Sequence, residues 1–141
     1  MTPGTVLFDK EFKFQDGGES PKLLVILNDG TRGFYIFVKT TSQRHNKGLS
    51  PGCQPKDRFR NFYLPKGNCL FSKATWVQLD EFYEADVNKL FELKLKGQLV
   101  YEGCLEEPTI KELLVCCIGA PDISANQETV LEDVLATLVL K

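Results

Sequence analysis

A chain of 141 residues, 43% hydrophobic and 26% charged, has the size of one domain and the composition of a folded one. Its longest uninterrupted apolar run, Leu113 to Ile118, is far short of the about 20 residues that a bilayer span needs, and Asp9, Lys10 and Glu11 interrupt any leader-like start. An unexported, cytoplasmic protein without membrane contact is therefore expected.

The net charge of −2 excludes a chain that holds nucleic acid by bulk charge alone. The distribution is uneven. Residues 39–73 carry Lys39, Arg44, Lys47, Lys56, Arg58, Arg60, Lys66 and Lys73 against only Asp57. A basic middle inside an acidic chain can focus an anionic partner onto one region, or simply neutralise its acidic neighbours.

Aromatic residues concentrate before residue 84 and none follows Tyr101, which places strands first and helices last. Thr5 to Phe8 reads as a first strand, and Gln15 to Pro21 as a Gly-rich loop. Leu23 to Leu27 is continuously apolar, as a central strand is. Asn28-Asp29-Gly30 supplies a turn, and Phe34 to Val38 the next strand. Thr40 to Asp57 is a long polar loop with no element of its own, a kind of loop that is often functional. Arg58 to Leu64 reads as a strand with Arg58 and Arg60 on one face. Pro65 to Asn68 is a tight turn, and Cys69 to Phe71 with Thr75 to Leu79 is the returning strand. Five short strands predict a small barrel or a strongly curved antiparallel sheet.

Asp86 can cap a helix with apolar positions Val87, Leu90, Phe91 and Leu95, ending at Gly97; a hairpin turning at Lys96-Gly97 competes with it. Pro108 suits a first helical turn, Ile110, Leu113, Leu114 and Cys117 have helical spacing, and Gly119 stops that helix. Ser124 with Gln127 is a capping-box pattern, followed by the stripe Val130, Leu131, Val134, Leu135 and Leu138. The chain is thus expected to be one α+β domain, residues 1–80 forming the β part and 81–141 a mainly helical part of about three helices packed on it.

Cys53, Cys69, Cys104, Cys116 and Cys117 are odd in number and two are neighbours, which predicts reduced thiols rather than a disulfide framework. With no Cys-x-x-Cys pair and one histidine, no metal site is expected. No phosphate-binding or dinucleotide fingerprint is present, and no local signature supports a cysteine nucleophile, so no cofactor is expected either.

The order of motifs from Thr5 to Gln43 resembles the PemK/MazF toxins of toxin–antitoxin pairs. It comprises the Gly-Thr-Val-Leu start, the Gly-rich loop, Leu24-Val25-Ile26-Leu27-Asn28-Asp29, the strand Phe34 to Val38, and Lys39-Thr40-Thr41-Ser42-Gln43. Thr75-Trp76-Val77-Gln78-Leu79 looks like the family's closing strand. The resemblance covers roughly the first 80 residues. It implies an SH3-like barrel, often a homodimer, that cleaves single-stranded RNA without a metal and is held by an antitoxin-like protein.

In such a cleavage a ribose 2′-hydroxyl attacks the adjacent phosphorus, so a site must move protons and hold the extra negative charge. Thr41 matches the family's functional threonine, with Ser42 beside it. The family's arginine-proline pair falls on Pro21 and Lys22, which makes Lys22 the nearest cation but one register step away. The residues add further candidates. His45 is the one imidazole available for proton transfer, and Arg44, Arg58 and Arg60 could bind phosphate. The expected site is therefore Thr41, Lys22 and His45 for catalysis, with Ser42, Arg44, Arg58 and Arg60 for substrate. Because the arginine is missing, a non-catalytic barrel that binds RNA or a protein partner is the alternative.

Overall fold

The computed structural model describes residues 1–14, 16–67 and 71–140. Among these residues eight strands and three helices follow one another as β1 (Thr5–Lys13), β2 (Glu19–Ile26), β3 (Phe34–Thr41), β4 (Gly52–Cys53), β5 (Asn61–Leu64), β6 (Thr75–Gln78), β7 (Tyr83–Asp86), α1 (Val87–Leu95), β8 (Leu99–Cys104), α2 (Glu107–Ile118) and α3 (Ala125–Val139). All strand pairs are antiparallel, in the order β4-β5-β6-β3-β2-β1-β8, with β7 also on β3. The α+β class is as expected. Among the described residues the sheet does not close into a barrel.

Strand β3 shapes the sheet. Its first half pairs with β7 from Phe34–Asp86 to Phe37–Tyr83, and its end pairs with β6 at Thr40–Val77 and Thr41–Trp76. On its other edge the pairing with β2 stops at Lys39–Leu24. Where β3 turns toward β6, it parts from β2.

The two faces of the sheet carry separate cores. Val6, Val25, Ile36 and Val38 meet Val77, Leu113, Leu114 and Leu131 in the main core, beneath α2 and α3. Leu7, Leu24, Ile26 and Phe37 lie in a smaller one with Leu90 of α1 and Leu99 of β8. The unbroken apolar run Leu23 to Leu27 is the consequence, since its alternate residues face opposite cores.

Several expectations need correction. Two strands, β7 and β8, fall in the segment expected to be mainly helical, on either side of α1. The helix capped by Asp86 and the turn at Lys96-Gly97 are both present, because the chain leaves α1 and returns along β1 as β8. The buried side of α1 is Val87, Leu90 and Leu93, whereas Phe91 and Leu95 are 60% and 73% exposed. Strand β5 begins at Asn61, so Arg58 and Arg60 precede it and do not share a strand face. The long loop contains the short strand β4, paired with β5. Ser124 and Gln127 form the reciprocal capping box foreseen for α3. Cys69 and the 68–70 part of the expected turn and strand, with Gln15 of the Gly-rich loop, lie outside the described residues.

The reduced-thiol expectation fails at two positions. Cys53 in β4 and Cys116 in α2 form a disulfide with a Cα–Cα distance of 5.6 Å. Cys104 is free and exposed, and Cys117 is free and buried. The fold brings Cys53 to Cys116 across 63 positions of sequence, a pairing that spacing cannot reveal. No helix among the described residues is long and apolar enough to cross a membrane.

In the second core, Lys39 is a buried ammonium with its charge matched. Its Nζ donates to Glu81 Oε1 at 3.2 Å and to Tyr83 Oη at 3.3 Å, and Tyr83 donates to Glu81 Oε2 at 2.6 Å. The Tyr83 hydrogen bond, with Lys39 adding to it, holds the Glu81 carboxyl below its ordinary value despite partial burial. A lowered folded-state value means stability that is present above the unfolded carboxyl's pKa, near 4.5, and lost as pH falls through the folded one. Glu81→Gln is expected to cost about 1–2 kcal/mol at pH 7, because it leaves the Lys39 charge poorly paired. It should also flatten the loss of stability below pH 4.5. Urea unfolding at pH 7 and pH 3.5 checks this; parallel losses in both proteins would reject the assignment.

Candidate functional site

A hollow of about 700 Å³ opens where β2 and β3 part, lined by Lys22, Leu23, Thr40, Thr41, Ser42, Gln43 and Pro21, with Phe8, Phe71, Ser72, Lys73, Thr75 and Glu102 completing it. Side chains replace the missing ladder bonds there. Thr40 Oγ1 donates to the Leu23 carbonyl at 2.9 Å, and Lys22 Nζ to the Thr40 carbonyl at 3.3 Å. The residues past the end of the β2–β3 pairing thus form the wall of a cleft instead of continuing the sheet.

Thr41 is half-buried at the end of β3. Its Oγ1 accepts from the Gln43 backbone N–H at 3.1 Å. A hydroxyl that accepts at its oxygen still has its own hydrogen to donate, so Thr41 can offer a hydrogen bond to an anion in the hollow. Ser42 is exposed next to it.

Lys22 is half-buried, with its Nζ 5.9 Å from the centroid of the Phe14 ring. Burial lowers its pKa from the ordinary lysine value, and the charges of Lys39 and Lys47 lower it further. An anion bound in the hollow would relieve this crowding of positive charge.

The structure brings Lys22, Thr41 and Ser42 of the expected set together and leaves out the rest. His45, at φ 43 in the exposed turn after β3, places Nε2 2.7 Å from Gln43 Oε1 and does not line the hollow. Arg44 is spent in that same turn, its Nε donating to the Lys47 carbonyl at 2.7 Å. Arg58 is exposed, 5.1 Å from the Phe59 ring centroid. Arg60 is engaged with α2 instead, where a terminal nitrogen donates to the Cys116 carbonyl at 3.3 Å, and it does not line the hollow. Pro21, which the resemblance sets against an arginine of the PemK/MazF toxins, does line the hollow.

Lys73, Gln43, Phe8 and Glu102 were not singled out by sequence. Lys73 registered only as part of the basic middle. Glu102 follows the Lys96-Gly97 turn, in a strand that the sequence offers only through the competing hairpin, and no pattern there places it at the hollow.

Among the described residues no three His, Cys, Asp or Glu side chains form a group able to hold a metal ion. A search with protein-family models finds no match to the chain, and a search of curated proteins finds none.

Proposed function

We propose that the hollow binds single-stranded RNA by its phosphates and cleaves it in the manner of the toxin endoribonucleases that the first 80 residues resemble. The observation that carries this is the meeting of Lys22, Lys73, Thr41 and Ser42 in one cleft at the parted ends of β2 and β3. Two ammonium groups and two hydroxyls suit a phosphodiester, whose charge grows as it becomes pentavalent.

In the proposed reaction the 2′-oxygen bonds to phosphorus as the bond from phosphorus to the 5′-oxygen breaks. The products are a cyclic phosphate and a free 5′-hydroxyl. Thr41 donates to a non-bridging oxygen and Lys73 offsets its charge. Lys22, which gives up its proton more readily than an ordinary lysine, supplies the proton to the departing 5′-oxygen, while water carries off that of the 2′-hydroxyl.

The test is cleavage of a single-stranded RNA in chelator. Thr41→Ala is expected to slow it about a hundredfold. Lys22→Arg is expected to keep binding and lose cleavage by a similar factor, because a guanidinium keeps its proton. Equal cleavage by Lys22→Arg would reject that role. The absence of any arginine or imidazole among the described residues that line the hollow favours a second reading, a non-catalytic RNA-binding site. Salt-sensitive binding with RNA left intact would select it.

A further inference from the structure

We propose that Glu102 makes the hollow selective for guanine; this rests on the RNA reading of the same site. The argument starts in the register of β8. Leu7 pairs with Tyr101 and Val6 with Gly103, so Glu102 is an extra residue with no partner on β1. Such a bulge re-aims a side chain. Phe8 pairs with Val100 on one side and Leu23 on the other, and both Phe8 and Leu23 line the hollow. The bulge puts Glu102 on that face as well, where it is the only carboxylate among the described residues of the lining. It makes no hydrogen bond or ion pair with any described residue.

Distance decides between a proton-transfer role and a recognition role. Thr41 lies on β3 and Glu102 on β8, with β2 and β1 between them. Three strand spacings, about 14 Å along the sheet, lie between β3 and β8, which sets the two side chains at different parts of the hollow rather than on one phosphorus. Glu102 therefore meets a neighbouring nucleotide. Phe8 stands one strand away, near enough for a base stacked on its ring to turn an edge to the carboxylate.

An ionised carboxylate only accepts hydrogen bonds. On its Watson–Crick edge guanine presents two adjacent donors, N1–H and the 2-amino group. Adenine, cytosine and uracil each set an acceptor beside their donor, which a carboxylate repels. Guanine is thus the one common base that fits Glu102 with two bonds.

The experiment is fluorescence anisotropy of the full chain with labelled single-stranded oligouridylates carrying one central guanosine, inosine, adenosine or cytidine. At fixed low salt, guanosine should bind roughly ten- to a hundredfold more tightly than adenosine or cytidine. Inosine, lacking the 2-amino group, should fall between. Glu102→Gln, a change at an exposed position whose fold circular dichroism checks, should erase the preference while the RNA is still bound weakly. RNA bound without base preference, or a preference that Glu102→Gln leaves unchanged, overturns guanine selection and leaves the RNA reading standing. No binding of any oligomer overturns both.

Discussion

Breaking the Cys53–Cys116 bond is expected to lower the free energy of unfolding by about 4 kcal/mol. The link closes a loop spanning 63 positions, and in the chain-entropy picture a loop of that length removes about that much from the unfolded ensemble. The fold around it holds geometry when the bond is cut. Gly48 N donates to Asp57 Oδ2 at 2.9 Å, Trp76 Nε1 donates to the Gly48 carbonyl at 3.0 Å, and Arg60 donates to the Cys116 carbonyl. Reduction should therefore destabilise the protein without unfolding it. Cys117, next in sequence, is no rival for the bond, because complete burial pushes its thiol up and keeps it protonated. Urea unfolding with and without reductant should give separated midpoints for the native chain. For Cys53→Ser there should be a single low midpoint that ignores reductant. Superimposed curves for a native chain whose thiols have been shown to titrate would refute the argument.

This bond also marks where sequence reasoning reached its limit. Patterns confined to one element were legible. Ser124 with Gln127 announced the α3 cap, and the unbroken run Leu23 to Leu27 announced a strand buried on both faces. Pairing between distant elements was not. Nothing in residues 99–104 alternates cleanly, because Val100, Tyr101 and Glu102 are all exposed on an edge strand with a bulge. The strand β8 was offered only by the hairpin that competes with α1, and no pattern in it pointed Glu102 at the hollow. At the hollow, Thr41 and Lys22 were named by the resemblance to the PemK/MazF toxins, and the structure sets both in the lining. Arg58 and Arg60 were misplaced because the strand begins three residues later than the apolar pattern allowed, and Arg60 has a structural use at α2 that only the packed chain reveals. Charge alone put Lys73 in the right neighbourhood without saying which face it served.

Gly4→Ala is expected to cost about 2–5 kcal/mol, for a reason that joins the start of the chain to α2. Gly4 has φ 90, a conformation that costs an alanine about 1–2 kcal/mol. A Cβ there would overlap the Cδ1 and Cγ1 atoms of Ile110, a buried residue of the main core. Overpacking of that kind costs about 1–3 kcal/mol more. The backbone cannot shift cheaply to relieve it. Gly4 N donates to the Ile26 carbonyl at 2.7 Å, and the Gly4 carbonyl accepts from Leu105 N at 2.9 Å, so the residue ties β2 to the entry of α2. The glycine that opens the Gly-Thr-Val-Leu motif thus has a physical use independent of any family: it lets a helix side chain press against the backbone where β1 begins. A double-mutant cycle with Ile110→Ala separates the two costs. Removing the isoleucine should recover the overlap and leave the backbone cost, giving a coupling of about 1–3 kcal/mol. Strictly additive losses would mean that the two residues do not compete for the same space, and the close approach of α2 to the first strand would have to be redrawn.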